Sequence, residues 1–574
     1  MTDYSPAIII FIICFGFLIA MKLRKNLFFY VFIVVAAIAN GTILAGMTGL
    51  FYLPVVAGIS GLFSMALYFI FRPVFPEGHL EKKDIILISL ILIVCLSFQY
   101  KTQYLGGQDA VSGFLPISRH LAERHGFPEQ KENISEPDSA LFRLGAPPLI
   151  LGFGGLLFQL TGMASEKVAS FVPVFFFMLF LLITFLWAKE KEIDVLWIGI
   201  LVLFSYFIVR IFSWFCQEGP LAFFSAVVFY TLYKFIKTKE ISFFKVALLA
   251  SGLSGLTKIT GLELSFLIIL FGLFYRLWNT KTVGLFIFAH LVPILWFLRN
   301  YLLFGAFYSS GAGQDIVGLN PEIDASAMIQ RLLHLFESFP YEKIAKAYFL
   351  VPIFAIWLIL APLRWKRMEQ FERLVWLCYA GTVFVWVWFL GNLTERYLIF
   401  FAAPCLIFLG VLAKEINEHN LMKVKNKIGY LSIGLLTAGT LVLNYSIKGE
   451  TGWFPEFYNN REIHLRAIDF LKTEEKVAPD TKILADTDMG FRWFGRLYML
   501  EAGYNIPRDE FKLALREGEI ASLFKKYGVR YVIDEWLITR LDEKIFPIVE
   551  SDKKNFTSIY KRDGITIWRV NYLY

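Results

Sequence analysis

Apolar windows long enough to cross a bilayer recur about fourteen times along this 574-residue chain, and that repetition constrains the fold more than any motif does. Backbone N–H and C=O groups in hydrocarbon have no water to bond, so each crossing must satisfy its own backbone as a helix. The windows fall at 6–21, 27–46, 50–71, 84–100, 166–188, 194–212, 219–236, 243–257, 259–275, 283–298, 346–362, 374–390, 396–413 and 428–446. With 57% apolar and 18% charged residues and a mean hydropathy of +0.58, the chain is excluded from the water-soluble class. It is expected to be a polytopic α-helical membrane protein of about 14 spans. The formal charge of +8 sits largely in short loops between spans, where it reports topology and not nucleic-acid binding. Five cysteines without CxxC spacing predict neither a disulfide framework nor a zinc site. The first apolar run is followed, not preceded, by Lys22, Arg24 and Lys25, which marks it as a retained span rather than a signal peptide.

Short loops rich in Lys and Arg stay in the cytoplasm. Loops 22–25, 72–84, 189–194, 234–240, 276–281, 364–373 and 414–427 all fall on that side if the N-terminus is outside. This alternation requires the apolar run 146–162 not to span. Opening with Pro147 and Pro148, short and Gly-rich, it is predicted to lie as a helix in the outer interface. The outer face then receives the loop 99–165, the turns around Cys216 to Pro220, Lys258 and Asn392 to Arg396, the loop 299–345, and everything from Lys448. The organisation expected is a membrane domain over 1–447 and an extracytoplasmic α/β domain over 448–574. Helical patterns at 462–472 and 519–527 alternate there with strand-like runs at 482–485, 530–533, 557–561 and 565–570. Neither GxxxxGK[ST] nor GxGxxG occurs, so a nucleotide site is not supported.

The outer loop opens Gly106, Gly107, Gln108, Asp109, directly after the span ending near Tyr100. A carboxylate at mid-helix in a membrane costs about 2.5 to 3.5 kcal/mol, so one kept at the membrane edge needs a reason. Position alone is equally consistent with an N-cap or a solvated aspartate. Downstream of Asp109 stand Phe114, Leu115, Pro116, Ile117, Ser118, Arg119, His120, Leu121, then His125, Gly126, Phe127, Pro128. Further on come Ala146, Pro147, Pro148, Leu149; Gln217, Glu218, Gly219, Pro220, Leu221; Gly255, Leu256, Thr257, Lys258; and the stretch Trp296 to Phe307 with its Arg299 and Asn300. Five such pieces, in order and on one predicted face, resemble the membrane glycosyltransferases of the C-type superfold, nearest to the protein O-mannosyltransferase and aminoarabinose transferase families. The tail run Tyr527 to Val532 is similar to the soluble domain of bacterial members. The chain departs from the pattern in having extra N-terminal spans before the Asp109 loop, where relatives usually have one span, and in carrying Glu218 where they usually carry Asp.

The resemblance implies transfer of a sugar, a mannose-like hexose or a pentose, from a polyprenyl-phosphate donor to a glycan, lipid or protein acceptor. It implies inversion at the outer face of a cytoplasmic membrane. Asp109 is then the expected base for the attacking hydroxyl. Glu218 would orient the acceptor, share the base role, or hold a divalent cation (Mg or Mn) with Asp109; a plain solvated turn carboxylate is the competing reading. Lys258, Arg299, Arg396 and Arg143 are the expected partners of the lipid phosphate, whose charge grows as the bond to C1 breaks. Each of these cations is also consistent with a snorkelling anchor. His120 and His125 are expected on the exposed face of a loop helix, and His290 as a hydrogen-bonded residue within a span. Trp453 and Trp493 suit either sugar stacking or core packing. A polyprenol-linked sugar flippase is the alternative, although its class calls for related halves and polar mid-membrane helices.

Overall fold

A computed structural model describes residues 5–23, 27–71, 80–101, 109–128, 145–205, 208, 211–212, 215–304, 307, 353–385, 395–418, 461–485, 491–501, 506, 508–535 and 545–571. Its contacts divide the chain into two compact units. One is Met1–Lys101 with Pro147–Trp296 and Val317–Lys448; the other is Thr102–Ala146 with Phe297–Ile316 and Gly449–Tyr574.

The first unit is helical. Among the described residues six helices are long and apolar enough to cross a membrane: Leu27–Met47, Leu53–Phe71, Glu166–Glu190, Glu218–Thr238, Thr280–Leu303 and Leu398–Ile416. Shorter apolar helices, among them Ile241–Thr257, Ile259–Phe274 and Ile353–Leu363, pack between them. The predicted window 428–446 lies outside the described residues. The window 194–212 is not one unbroken helix: Val195–Phe204 stops where Ser205 leaves the helical region (φ −87°, ψ 75°), and helical residues resume at Ile208. The Pro147–Pro148 run forms the helix Leu149–Thr161, whose 13 residues make it about 20 Å long, against roughly 30 Å of hydrocarbon. It packs on Leu27–Met47, where Gly152 leaves room for the Thr42 side chain, and the Gln159 amide donates to the Phe51 carbonyl.

The helix Glu218–Thr238, here α1, is the centre of this unit. It is buried along nearly its whole length and packs on Phe171–Glu190 through Phe176, Phe223 and Phe224. At Lys239 the backbone turns left-handed (φ 61°), and the chain returns antiparallel as α2, Ile241–Thr257. A third helix, α3 (Thr280–Phe304), crosses α2 closely enough that a side chain at Gly252 would run into the Ala289 carbonyl.

At the opposite end of the hairpin from Glu218, charged loop residues knit the helices together. Lys189 pairs with Asp84 at 2.5 Å, Lys191 with Glu369 and Glu372 at 2.9 and 2.8 Å, and Lys234 with Glu190 at 2.9 Å. Lys414 reaches Glu192 at 3.3 Å and Arg364 meets Glu415. Five of the loops grouped by their basic content, 72–84, 189–194, 234–240, 364–373 and 414–427, are thus tied to one another by ion pairs.

In the second unit, Lys482–Ala485 (β1), Tyr498–Glu501 (β2), Val529–Glu535 (β3), Phe556–Arg562 (β4) and Ile565–Val570 (β5) form one sheet in the order β2-β1-β3-β5-β4. β1 is parallel to β2 and β3; β5 is antiparallel to β3 and β4. Alternate residues of β3 go to opposite cores: Val532 joins Phe511, Leu523 and Phe524, while Ile533 joins Ile468, Leu471 and Phe491. Helices on both faces are what a parallel sheet requires. Gly528 (φ 71°) ends the helix Ile520–Tyr527 and delivers the chain into β3. β2 was not foreseen, because four residues of Tyr-Met-Leu-Glu carry no readable period.

Gly252→Val is expected to lower the melting temperature of the detergent-purified protein, with overpacking costing about 1–3 kcal/mol. Gly284→Val, on α3 with open space around its missing Cβ, is expected to leave it unchanged; differential scanning fluorimetry compares the two.

Candidate active site

The α1–α2 hairpin explains how two residues 40 positions apart meet. α1 begins at Glu218 and α2 ends at Thr257, so the return of the chain brings Lys258 back to the level of Glu218. The Lys258 ammonium lies 2.7 Å from Glu218 Oε1, with Glu218 fully buried and Lys258 nearly so. Helix polarity favours both positions, since a carboxylate sits in the first turn of one helix and a cation at the C-terminal end of the other. Desolvating two charges is expensive, and a buried pair is retained only when its geometry offsets that cost.

Beside it, the Gln217 amide, also buried, donates to the Pro147 carbonyl at 2.8 Å and so fixes the entry to the Pro-Pro helix. Beyond Lys258 the chain makes a single 3₁₀ turn, Ile259–Gly261. Gly261 packs against the Ser254 carbonyl too closely for any side chain, and the buried Thr260 hydroxyl has no hydrogen-bond partner among the described residues. Carboxylate, ammonium and hydroxyl thus come from the two ends of one hairpin, Glu218 at its start and Lys258 and Thr260 just past its end.

The second unit holds its own set. Asp109 opens a π-helical turn, Asp109–Phe114, that continues without a break into the helix Leu115–Arg124, here α4. The residue between them, Phe114, keeps helical angles (φ −65°, ψ −44°), so the two form one rod. Arg299 Nη2 donates to the Pro128 carbonyl at 3.2 Å, with the guanidinium 5.9 Å from the centre of the Phe127 ring. The buried Asn300 donates to the carbonyls of Gly145 and Phe307 at 2.9 and 3.2 Å. Neighbouring side chains on one helix thereby hold both ends of the stretch 128–145.

Of the expected site residues, the structure brings Glu218 and Lys258 together and sets Arg299 on Phe127 and Pro128. Arg396 lies in a 3₁₀ segment, Glu395–Phe401, and only its backbone is described; Arg143 and Trp453 lie outside the described residues. His120 and His125 are half-buried rather than exposed, His125 ending α4 in the left-handed region (φ 63°). His290 bonds Ser265 and the Phe286 carbonyl within its span. Trp493 is buried in the second unit. Gln217, Asn300 and Thr260 were missed as functional candidates, though the first two stood inside the quoted motifs, next to the charged residues that drew attention. Among the described residues no three His, Cys, Asp or Glu side chains gather as metal ligands. Glu218 facing an ammonium is also not the oxygen-rich shell that Mg or Mn takes.

No protein-family model and no curated protein sequence matches the chain. Two solved structures share its fold. One is ArnT from Cupriavidus metallidurans bound to undecaprenyl phosphate, with a TM-score of 0.53 and 12% identity over 84% of this chain and 97% of that one. The other is the same protein in the apo state, with a TM-score of 0.54 and 11% identity over the same shares. The likeness is one of fold, and it agrees with the motif resemblance and with a helical membrane protein carrying a small C-terminal sheet domain.

Removing one partner of the buried pair strands the other charge, so Glu218→Gln and Lys258→Met are each expected to destabilise by about 3–5 kcal/mol. The double variant is expected to cost clearly less than the sum. Chemical denaturation of the four proteins in detergent completes the cycle; an additive double variant would mean that the two charges are not coupled.

Proposed function

We propose that this chain is a membrane glycosyltransferase that moves a sugar from a polyprenyl-phosphate donor to an acceptor hydroxyl at the outer face of a cytoplasmic membrane. The observation that carries the reading is the Glu218–Lys258 pair, buried at the start of the central helix in a fold shared with a protein solved with undecaprenyl phosphate. A lipid-phosphate donor also accounts for a helical bundle of this size around a site that needs so few charged residues.

In the reaction proposed, the acceptor oxygen attacks C1 of the sugar from the face opposite the phosphate. The new bond forms as the C1–O bond to the phosphate breaks, with inversion. Asp109 takes the hydroxyl proton, and the polyprenyl phosphate leaves with the bonding electron pair. Lys258 meets the charge that develops on the leaving oxygen, acting as a point charge where the surroundings exclude water. Glu218 keeps that ammonium aimed while the site is empty, so little reorganisation is needed when phosphate arrives. Arg396 and Arg143 are further candidates for the phosphate. Arg299 serves it through its position beside Phe127. None of these steps is routed through a metal ion; Asp109 and Glu218 remain the residues a divalent cation would have to use. The N-terminus, the loop with Asp109 and the domain 448–574 belong outside in this reading. The sugar is a mannose-like hexose or a pentose.

Proteoliposomes supplied with radiolabelled polyprenyl-phosphate sugars and candidate acceptors test this directly. Wild type is expected to release sugar from one donor, and Asp109→Asn to lose about two to four orders of magnitude of that rate, the scale of general base catalysis. Equal rates would remove Asp109 as the base. Sugar-lipid moving between leaflets without transfer would replace the whole reading with a flippase.

A further inference from the structure

The rod that begins with Asp109 is gripped by the C-terminal sheet domain, through a helix of five residues. That helix, Phe491–Gly495 (α5), lies between β1 and β2 in the chain. Phe491 is fully buried in the same core as Ile468, Leu471 and Ile533, and the His464 ring meets it edge-on at 5.8 Å. Gly495 lies against Ile468 and Leu497. α5 is therefore rooted in the sheet domain. Its other side packs against both the π-helical turn Asp109–Phe114 and α4.

The contact centres on Arg119 and Trp493. The Arg119 guanidinium lies 5.1 Å from the centre of the Trp493 ring, and its Nη1 donates to the Trp493 carbonyl at 2.9 Å. A planar guanidinium can lie flat against a ring while its edge N–H groups donate in its own plane, a fixed geometry that the compact, freely rotating lysine ammonium does not reproduce. At the rim, Arg496 pairs with Glu123 at 2.9 Å, both exposed. That outer pair is solvent-screened and worth little; the half-buried Arg119–Trp493 contact combines a ring contact with a hydrogen bond and is the better defined of the two. Along α4, Leu115, Pro116, Ile117, Ser118 and Leu121 are buried. Because the π-turn runs into α4 without a break, a shift or rotation of α4 is carried to Asp109.

We propose that Arg119 and Trp493 are positioning residues for Asp109: the C-terminal domain sets the base through this contact. The inference rests on the reading of Asp109 as the base. It gives the sheet domain a part in the chemical step. A misplacement of about 1 Å at a reacting group is enough to cost on the order of a hundredfold in rate.

Two measurements on the full-length protein in proteoliposomes separate this from a merely structural contact. The first is steady-state transfer, split into kcat and donor KM. Trp493→Leu and Arg119→Gln are expected to lower kcat by about ten- to a hundredfold with donor KM within about twofold, since the base and not the donor site moves. Trp493→Phe, which keeps a ring under the guanidinium, is expected to retain most of kcat. Arg119→Lys is expected to fall with Arg119→Gln. The second is independent of activity: spin labels at Arg124→Cys on α4 and Arg516→Cys in the sheet domain, both exposed, report their distance distribution. The distribution is expected to be narrow in the otherwise wild-type protein and broad with Trp493→Leu. Broadening with kcat unchanged overturns the proposal, as does a kcat loss with the distribution still narrow. If wild type transfers no sugar, it is the glycosyltransferase reading that fails; the label distances then still decide whether Trp493 holds α4, and a distribution left narrow by Trp493→Leu overturns the proposal there too.

Discussion

The Glu218–Lys258 pair is the interaction around which the helical unit is arranged. Two charges nearly or fully removed from water tolerate little displacement, because separating them leaves each without its counter-charge in a medium that screens poorly. The pair therefore fixes the register of the central hairpin, and the hairpin fixes what packs on it. Gln217, one residue before the carboxylate, ties down Pro147; Gly252 and Gly261 bring backbone against backbone on the other helix. Further along the same helix from Glu218, Phe223 and Phe224 pack on Phe176 and hold the hairpin against the helix Phe171–Glu190.

Much of this was written in the sequence, unevenly. Long apolar windows announced the helices because hydrocarbon leaves the backbone no other choice. The strands β1 and β5 were found at their true bounds, since each is a short apolar or β-branched run set off by a preceding turn, Pro479-Asp480 for β1 and Asp563-Gly564 for β5. The break at Ser205 was invisible because apolar sequence continues across it, so hydropathy alone runs straight through. At the site, Glu218 and Lys258 could each be named from the chain, but not as partners. Their meeting depends on the lengths of two helices and one tight turn at Lys239, a sum over many residues that no single motif states. Arg299 illustrates the opposite case: its charge suggested phosphate, while its place on Phe127 and Pro128 comes from the path of a loop that the sequence does not fix.

The sheet domain shows how a small fold can matter to a segment far from it in the chain. Its two cores are ordinary, and its parallel strands need covering on both faces. One of the covering helices, the five residues from Phe491 to Gly495, has a second side that packs on the helix holding Arg119. Burying Phe491 and presenting Trp493 are thus done by the same short turn, so whatever stabilises the sheet domain also steadies the segment that Asp109 opens.

The ion pairs between the basic loops have a consequence for how such a chain is made. Lys191 lies early in the sequence, while its partners Glu369 and Glu372 are synthesised on the order of ten seconds or more later. Lys189, by contrast, finds Asp84 already in place. During biogenesis some lysines thus stand uncompensated, as bare positive charge at the membrane surface, and only afterwards become fasteners between finished helices. The same side chains are loose charges while the chain is growing and ties between helices once it is complete.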